Sequence, residues 1–255
     1  MDKEGRMEIF LDTANVGKIG EWISSGVVDG VTTNPGLMLQ EKVYDIETMA
    51  KEISALVFPC PVSVEVTTNN LNEMLAQARM FASWAPNIVI KIPQLTQDGI
   101  PCYGVMKQLA NEGIRVNATV VFSFGQVILS AKAQATYISL FAGRIADEGG
   151  DSSEIIQTSV AWLEHWGYNS KILVGSIRTV GDILNAAKAG AHIITIPPQF
   201  ITKMSDHKFT RETVKEFTIK ANKALDAMAQ DKKHTVECSG DQWQPALWSK
   251  QEMGG

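Results

Sequence analysis

Eight short runs of apolar and β-branched residues recur along this chain, and the stretches between several of them have helical period. The runs are Glu8–Asp12, Val28–Thr33, Val62–Val66, Asn87–Ile92, Arg115–Val121, Tyr137–Phe141, Lys171–Ser176 and His192–Ile196. Between them lie segments such as Leu71–Trp84 and Ser153–Trp166; in the second, Ile156, Val160 and Leu163 recur at helical spacing. Gly26, Gly113, Gly167 and Gly190 each follow a helical segment, where a left-handed backbone ends a helix, and Pro35, Pro93 and Pro197 follow strands. Strands alternating with helices pair in parallel, because each crossover helix covers a sheet face. Eight of them favour closure into a single (β/α)8 TIM barrel, an α/β fold, over an open sheet.

The 255 residues suit one such domain followed by an appendage. The expected division is a catalytic barrel over 1–210, an extra C-terminal helix over 211–230 and a polar tail over 231–255. The helix, read as Thr213–Gln230, sets Val214, Phe217, Ala221 and Leu225 on one face. The tail carries Trp243, Pro245 and Trp248, and either frays or docks on another subunit.

Charge and cysteine usage narrow the partners. The net charge is −5 with no basic block, which argues against nucleic acid or an anionic membrane surface as the main partner. A small anion needs only a few local cations. Cys60, Cys102 and Cys238 are far apart, and no Cys/His spacing suits a metal, so the expectation is no metal, no cofactor and a reducing compartment. The N-terminus has neither an apolar signal region nor transit-peptide character, and no apolar run reaches membrane-spanning length; a cytoplasmic location is expected.

Barrels of this kind build their chemistry at the C-terminal ends of the strands. Polar residues gather at those ends on seven of the eight runs. Asp12 closes the first; Thr32, Thr33 and Asn34 close the second, where a turn or helix cap is the ordinary reading. Glu65 interrupts Val64 and Val66, and Lys91 interrupts an otherwise apolar Ile88–Ile92. An ionised group buried without a partner costs several kcal/mol, so such residues are seldom filler. A structural ion pair would explain Lys91 alone; with Asp12 and Glu65 beside it, an amine nucleophile explains more, since burial disfavours an ammonium. Asn117 and Thr119 share one face of the fifth run; Ser139, Phe141 and Arg144 follow on the sixth, and Ser176 and Arg178 on the seventh. Two arginines and a serine on adjacent loops suit a phosphate or sulfonate, whose oxygens match the guanidinium fork. No glycine-rich nucleotide loop is present.

These segments resemble the transaldolase family. Leu11-Asp12-Thr13-Ala14, Gly30-Val31-Thr32-Thr33-Asn34-Pro35, Val89-Ile90-Lys91-Ile92-Pro93, Asn117-Ala118-Thr119-Val120-Val121-Phe122-Ser123, Ile138-Ser139-Leu140-Phe141-Ala142-Gly143-Arg144 and Gly175-Ser176-Ile177-Arg178 are similar to its signatures, in the same order. The resemblance implies a Schiff base between Lys91 and a ketose donor, with Asp12 as general acid/base at the C4 hydroxyl. It implies that Glu65 and Thr119 hold a proton-shuttling water. It implies that Asn34, Asn117 and Ser139 hydrogen-bond the dihydroxyacetone hydroxyls, that Arg144, Ser176 and Arg178 hold the distal anion, and that Thr33 and Phe141 are also substrate-binding. The implied partners are sugar phosphates and a homo-oligomer, commonly a ring with exchanged C-terminal helices; a sulfonated sugar such as 6-deoxy-6-sulfofructose stays open beside them, since the same clamp could hold either anion.

Two activities lie within the resemblance. Transaldolases have Glu where Glu65 stands, whereas the small fructose-6-phosphate aldolases tend to have Gln there and a Tyr near the reacting centre, where this chain has Phe141 and Phe122. Both features favour a transferase over a lyase releasing free dihydroxyacetone; a non-catalytic sugar-phosphate-binding barrel is the reading from another class. Leu140, Ile177 and the segment Gly36-Leu37-Met38-Leu39 depart from the common family pattern near the pocket, which bears on substrate choice.

Overall fold

The computed structural model describes the backbone of residues 6–238 and the side chains of residues 6–230. In chain order the barrel runs β1 (Glu8–Asp12), α1 (Val16–Ile23), β2 (Gly30–Thr32), α2 (Pro35–Gln40), α3 (Ile46–Val57), β3 (Val62–Glu65), α4 (Leu71–Ala82), β4 (Ile88–Pro93), α5 (Tyr103–Asn111) and β5 (Val116–Val121). It continues with α6 (Phe124–Lys132), β6 (Tyr137–Phe141), α7 (Ala142–Asp147), α8 (Ser152–His165), β7 (Lys171–Gly175), α9 (Val180–Lys188), β8 (Ile193–Ile196) and α10 (Pro198–Ser205). The eight strands pair in parallel in sequence order, and β8 returns to β1, so the barrel is closed. The predicted fold is the observed one. Strand ends differ by a residue or two; the largest difference is β2, which starts at Gly30 because Val28 and Asp29 still belong to the loop that enters the sheet.

Alternation along the strands separates two cores. Outward residues such as Leu11, Val31, Val64, Ile90, Leu140 and Val174 pack with Ile19, Ile53, Met74, Phe81 and Met106 of the surrounding helices. Inside, Phe10, Val89, Tyr137, Leu173 and Ile193 form a separate apolar cluster. The Phe10 and Tyr137 rings meet edge-on with centroids 5.9 Å apart. Gly30, the registered partner of Phe10, makes room for that ring; a Cβ there would stand 2.8 Å from it. Asp12, Thr32, Glu65, Lys91, Asn117, Thr119, Ser139 and Thr195 follow at inward positions. The barrel interior is therefore apolar below and polar above.

Caps hold the helices at the polar end. Asn34, Ser123 and Thr179 each accept a backbone N–H as N-caps of α2, α6 and α9, with Pro35 at the first position of α2. The four glycines that the sequence assigns to helix ends, Gly26, Gly113, Gly167 and Gly190, all have positive φ. In β5 the register shifts between Ala118 and Val121, and Val120 has φ 60°, a bulge beside the site.

A second compact unit begins at Ser205. Its described part is α11 (Lys208–Cys238), longer at both ends than the predicted Thr213–Gln230. The prediction follows the apolar stripe, whereas the helix runs on past that stripe at both ends. Residues 231–238 are thus helical, and the rest of the expected tail, including Trp243, Pro245 and Trp248, lies outside the described residues. None of the described helices is long and apolar enough to cross a membrane.

Gly143 gives the fold a sharp test. A Cβ there would lie 2.1 Å from the Ser176 carbonyl oxygen, so the start of α7 and the end of β7 can approach only over a glycine. Gly143→Ala is expected to lower stability by about 2–3 kcal/mol in urea unfolding. Gly104→Ala, on an exposed turn of α5 with nothing within 4 Å, is expected to be neutral or to gain about 0.5 kcal/mol. Similar effects of both would refute the close-approach account.

Candidate active site

Lys91 and Glu65 are registered neighbours on β4 and β3, so adjacency of the strands alone brings their charges together. Lys91 Nζ lies 2.9 Å from Glu65 Oε2, and the Lys91 side chain is only 7% exposed. Nζ also donates to the Thr33 carbonyl oxygen at 2.9 Å. A buried ion pair has a desolvation penalty that its own attraction offsets only partly, which makes this an expensive way to fill a barrel.

Asp12 is the registered partner of Thr32, whose hydroxyl donates to Asp12 Oδ1 at 2.8 Å. Burial pushes the Asp12 carboxyl above its ordinary range. The Lys91 charge and the Thr32 hydrogen bond draw it back, and the Glu65 charge adds to the rise. An acid held in this way can both accept and return a proton.

On the next strands, Ser139 Oγ donates to Asn117 Oδ1 at 2.7 Å, and Asn117 Nδ2 donates to Ser63 Oγ at 3.2 Å, which orients the Asn117 amide. Thr119 Oγ1 is buried with no hydrogen-bond partner among the described residues, the kind of orphan that a ligand or water satisfies. Thr33 is turned otherwise: its hydroxyl donates to the Ser63 carbonyl at 2.9 Å while its own carbonyl receives Lys91.

A cavity of about 190 Å³ opens above these groups. Of the residues singled out in the sequence, Asp12, Thr32, Asn34, Lys91, Thr119, Ser139, Phe141, Arg144 and Ser176 line it. Glu65, Thr33 and Asn117 stand behind this lining and hold its members through the contacts just given. Asn34 has a double duty, since its side chain also accepts the Leu37 N–H at 3.0 Å as a cap. Arg144 stands over the Phe141 ring, 5.8 Å from its centroid, and also borders a wider recess with Phe122 and Ile155. Ser176 reaches the cavity from a backbone at φ 60°. Arg178 is not part of the lining; its guanidinium makes a two-pronged pair with Asp147 at 2.9 and 2.6 Å.

Leu173, Gly175 and Thr195 complete the wall. Thr195 is the informative omission. In the run His192–Ile196, Thr195 lies among isoleucines but shares the inward parity of Ile193, and parity is the signal available in the sequence.

The site is thus a lysine–carboxylate centre at the C-terminal mouth of a parallel barrel, open to a small polar molecule. The family described as transaldolase/fructose-6-phosphate aldolase matches residues 9–243, and the chain belongs to that family. Among curated relatives, a probable transaldolase of Streptococcus equi subsp. zooepidemicus is 42% identical over 211 residues, covering 83% of this chain and 96% of its own. A probable transaldolase of Lactiplantibacillus plantarum is 44% identical over 211 residues, covering 83% and 94%. Among solved structures, a thiamine phosphate pyrophosphorylase from Pyrococcus furiosus superposes with a TM-score of 0.52 at 12% identity, covering 75% of this chain and 85% of that one. That likeness concerns the barrel alone.

Asp12 yields a pH prediction. Because its folded-state value lies above 3.8, the native chain holds this proton more tightly than the unfolded chain. The resulting stability is present below the ordinary value and lost as pH rises through the shifted one. Asp12→Asn should therefore raise the Tm at pH 7, with the advantage shrinking as the pH approaches 4. A gap independent of pH would contradict the assignment.

Proposed function

We propose that this enzyme transfers a dihydroxyacetone unit from a ketose 6-phosphate, or a 6-sulfonate such as 6-deoxy-6-sulfofructose, to an aldose phosphate through a Schiff base on Lys91. The supporting observation is the buried Lys91 amine, 2.9 Å from a carboxylate that can take its proton and on the wall of the same small cavity as Asp12. The neutral amine attacks the ketose C2 carbonyl, and loss of water gives a protonated imine. Asp12 takes the C4 hydroxyl proton, the C3–C4 bond breaks, and its electron pair moves onto the imine carbon framework as an enamine. The released aldehyde departs and an acceptor aldehyde reverses the steps. Water then frees the ketose product and the amine.

The other side chains fit around this sequence. Glu65 and the unpartnered Thr119 hydroxyl suit the water that moves protons during imine formation. Asn34 and Ser139 offer hydrogen bonds to the dihydroxyacetone hydroxyls from the cavity wall, Asn117 orients Ser139 from behind it, Thr33 steadies Lys91 through its carbonyl, and Phe141 forms an apolar wall. Arg144 and Ser176 reach the distal anion; Arg178 joins them by exchanging Asp147 for the ligand. Glu65, with Phe141 and Phe122 in place of a phenol, favours transfer over release of free dihydroxyacetone.

Incubation with fructose 6-phosphate, or with sulfofructose in parallel, followed by borohydride reduction should leave a three-carbon adduct on Lys91, read by peptide mass spectrometry. The adduct should disappear when an aldose phosphate is added before the borohydride and be missing in Lys91→Ala. No adduct with either donor would remove the proposal, and steady release of dihydroxyacetone without an acceptor would replace transferase by lyase.

We also infer that the protein is a homo-oligomer that uses α11. Val214, Phe217, Leu225 and Met228 are 57–63% exposed on that helix at spacings of three, eight and three, an apolar stripe that a second copy would cover. Light scattering should give a multiple of 27.9 kDa, and a monomer would remove the inference.

A further inference from the structure

Two hydroxyls and a carboxylate form a chain along the cavity wall, and with the carboxylate ionised the count of protons fixes its direction. Thr32 Oγ1 has one proton and donates it to Asp12 Oδ1 at 2.8 Å. The same oxygen lies 2.5 Å from Thr195 Oγ1. While Asp12 is ionised and takes the Thr32 proton, Thr32 can only accept there, so the Thr195 hydroxyl is the donor in that state. Both threonines are buried, at 2% and 4% exposure, although they border the cavity. The donor is also held in place. Thr195 is β-branched and stiff at χ1, and its methyl group faces Gly175, where a Cβ would stand 3.3 Å away.

We propose that Thr195, on β8, is a positioning residue for Asp12, acting through Thr32. A hydroxyl that receives a hydrogen bond becomes a better donor, so Thr195 strengthens the bond that Thr32 makes to the ionised carboxylate. It also restricts Thr32 to the rotamer that aims Asp12 into the cavity. The charged groups facing Asp12 are Lys91 from β4 and Glu65 from β3, which act in opposite directions, while β2 and β8 contribute these two neutral hydroxyls. Loss of the outer hydroxyl leaves both charges in place and weakens only the hydrogen-bonded support of the anion. The catalytic consequence rests on the reading of Asp12 as the acid/base of carbon–carbon cleavage; the chain itself does not.

The test compares Thr195→Val, which keeps the shape and removes the hydroxyl, with Thr195→Ser, which keeps the hydroxyl. Carbon-13 NMR of protein labelled at the aspartate carboxyl, with Asp12 assigned by Asp12→Asn, reads the titration directly and needs no substrate. Thr195→Val is expected to move the Asp12 midpoint upward and Thr195→Ser to return it towards the parent. In turnover with fructose 6-phosphate and an aldose phosphate, Thr195→Val should lose roughly tenfold in kcat with little change in KM. The acid limb of its pH profile should follow the NMR midpoint, and Thr195→Ser should restore most of the rate. An unmoved Asp12 midpoint in Thr195→Val, or a Thr195→Ser variant that behaves like Thr195→Val, would overturn the proposal. A parent protein that forms no Lys91 adduct would instead defeat the transferase reading, and the titration would still decide the role of Thr195.

Discussion

Opposite charges on neighbouring strands, Lys91 on β4 and Glu65 on β3, impose the central constraint on this molecule. Neither can be left alone inside a barrel, because an unpaired buried ion costs several kcal/mol. The parallel register satisfies both at once, and a slip of either strand by one residue would turn its ion towards the helices and leave the other unpaired. The Thr33 carbonyl completes the environment of the amine, which ties the end of β2 to the centre of β4. The position of the chemistry and the alignment of three strands are therefore one requirement.

Much of this is legible in the sequence for the same reason. Ionisable residues inside apolar strands stand out because their burial is unfavourable, and Asp12, Glu65 and Lys91 are conspicuous by that measure. The eightfold rhythm was legible because each crossover helix needs an apolar face, and the closed barrel follows. Other features depend on contacts that a linear reading cannot supply. Thr195 is hidden because threonine suits a strand as well as isoleucine does. Arg178 reads as an anion ligand in the sequence, but Asp147, a chain distance of 31 residues away, holds its guanidinium in the structure. The length of α11 was underestimated because its ends lack the apolar stripe that marks its middle.

Around the charged pair, polarity is graded. Asp12 has a raised affinity for its proton through burial, tempered by Lys91 and Thr32. Asn117 and Ser139 orient one another, and Thr119 keeps an unspent hydrogen-bonding capacity. The wall thus combines groups fixed before any ligand arrives with one that waits for it, the arrangement expected where reorganisation during reaction must be small.

The apolar cluster of Phe10, Val89, Tyr137, Leu173 and Ile193 has a kinetic meaning as well as a packing one. It fills the barrel below the cavity, where Leu173 belongs to both, and so blocks the way down through the barrel axis. Under the transfer reading, two aldehydes cannot pass each other in a well of about 190 Å³. The first must depart before the second enters, which makes the order of events a two-stroke exchange dictated by the plug.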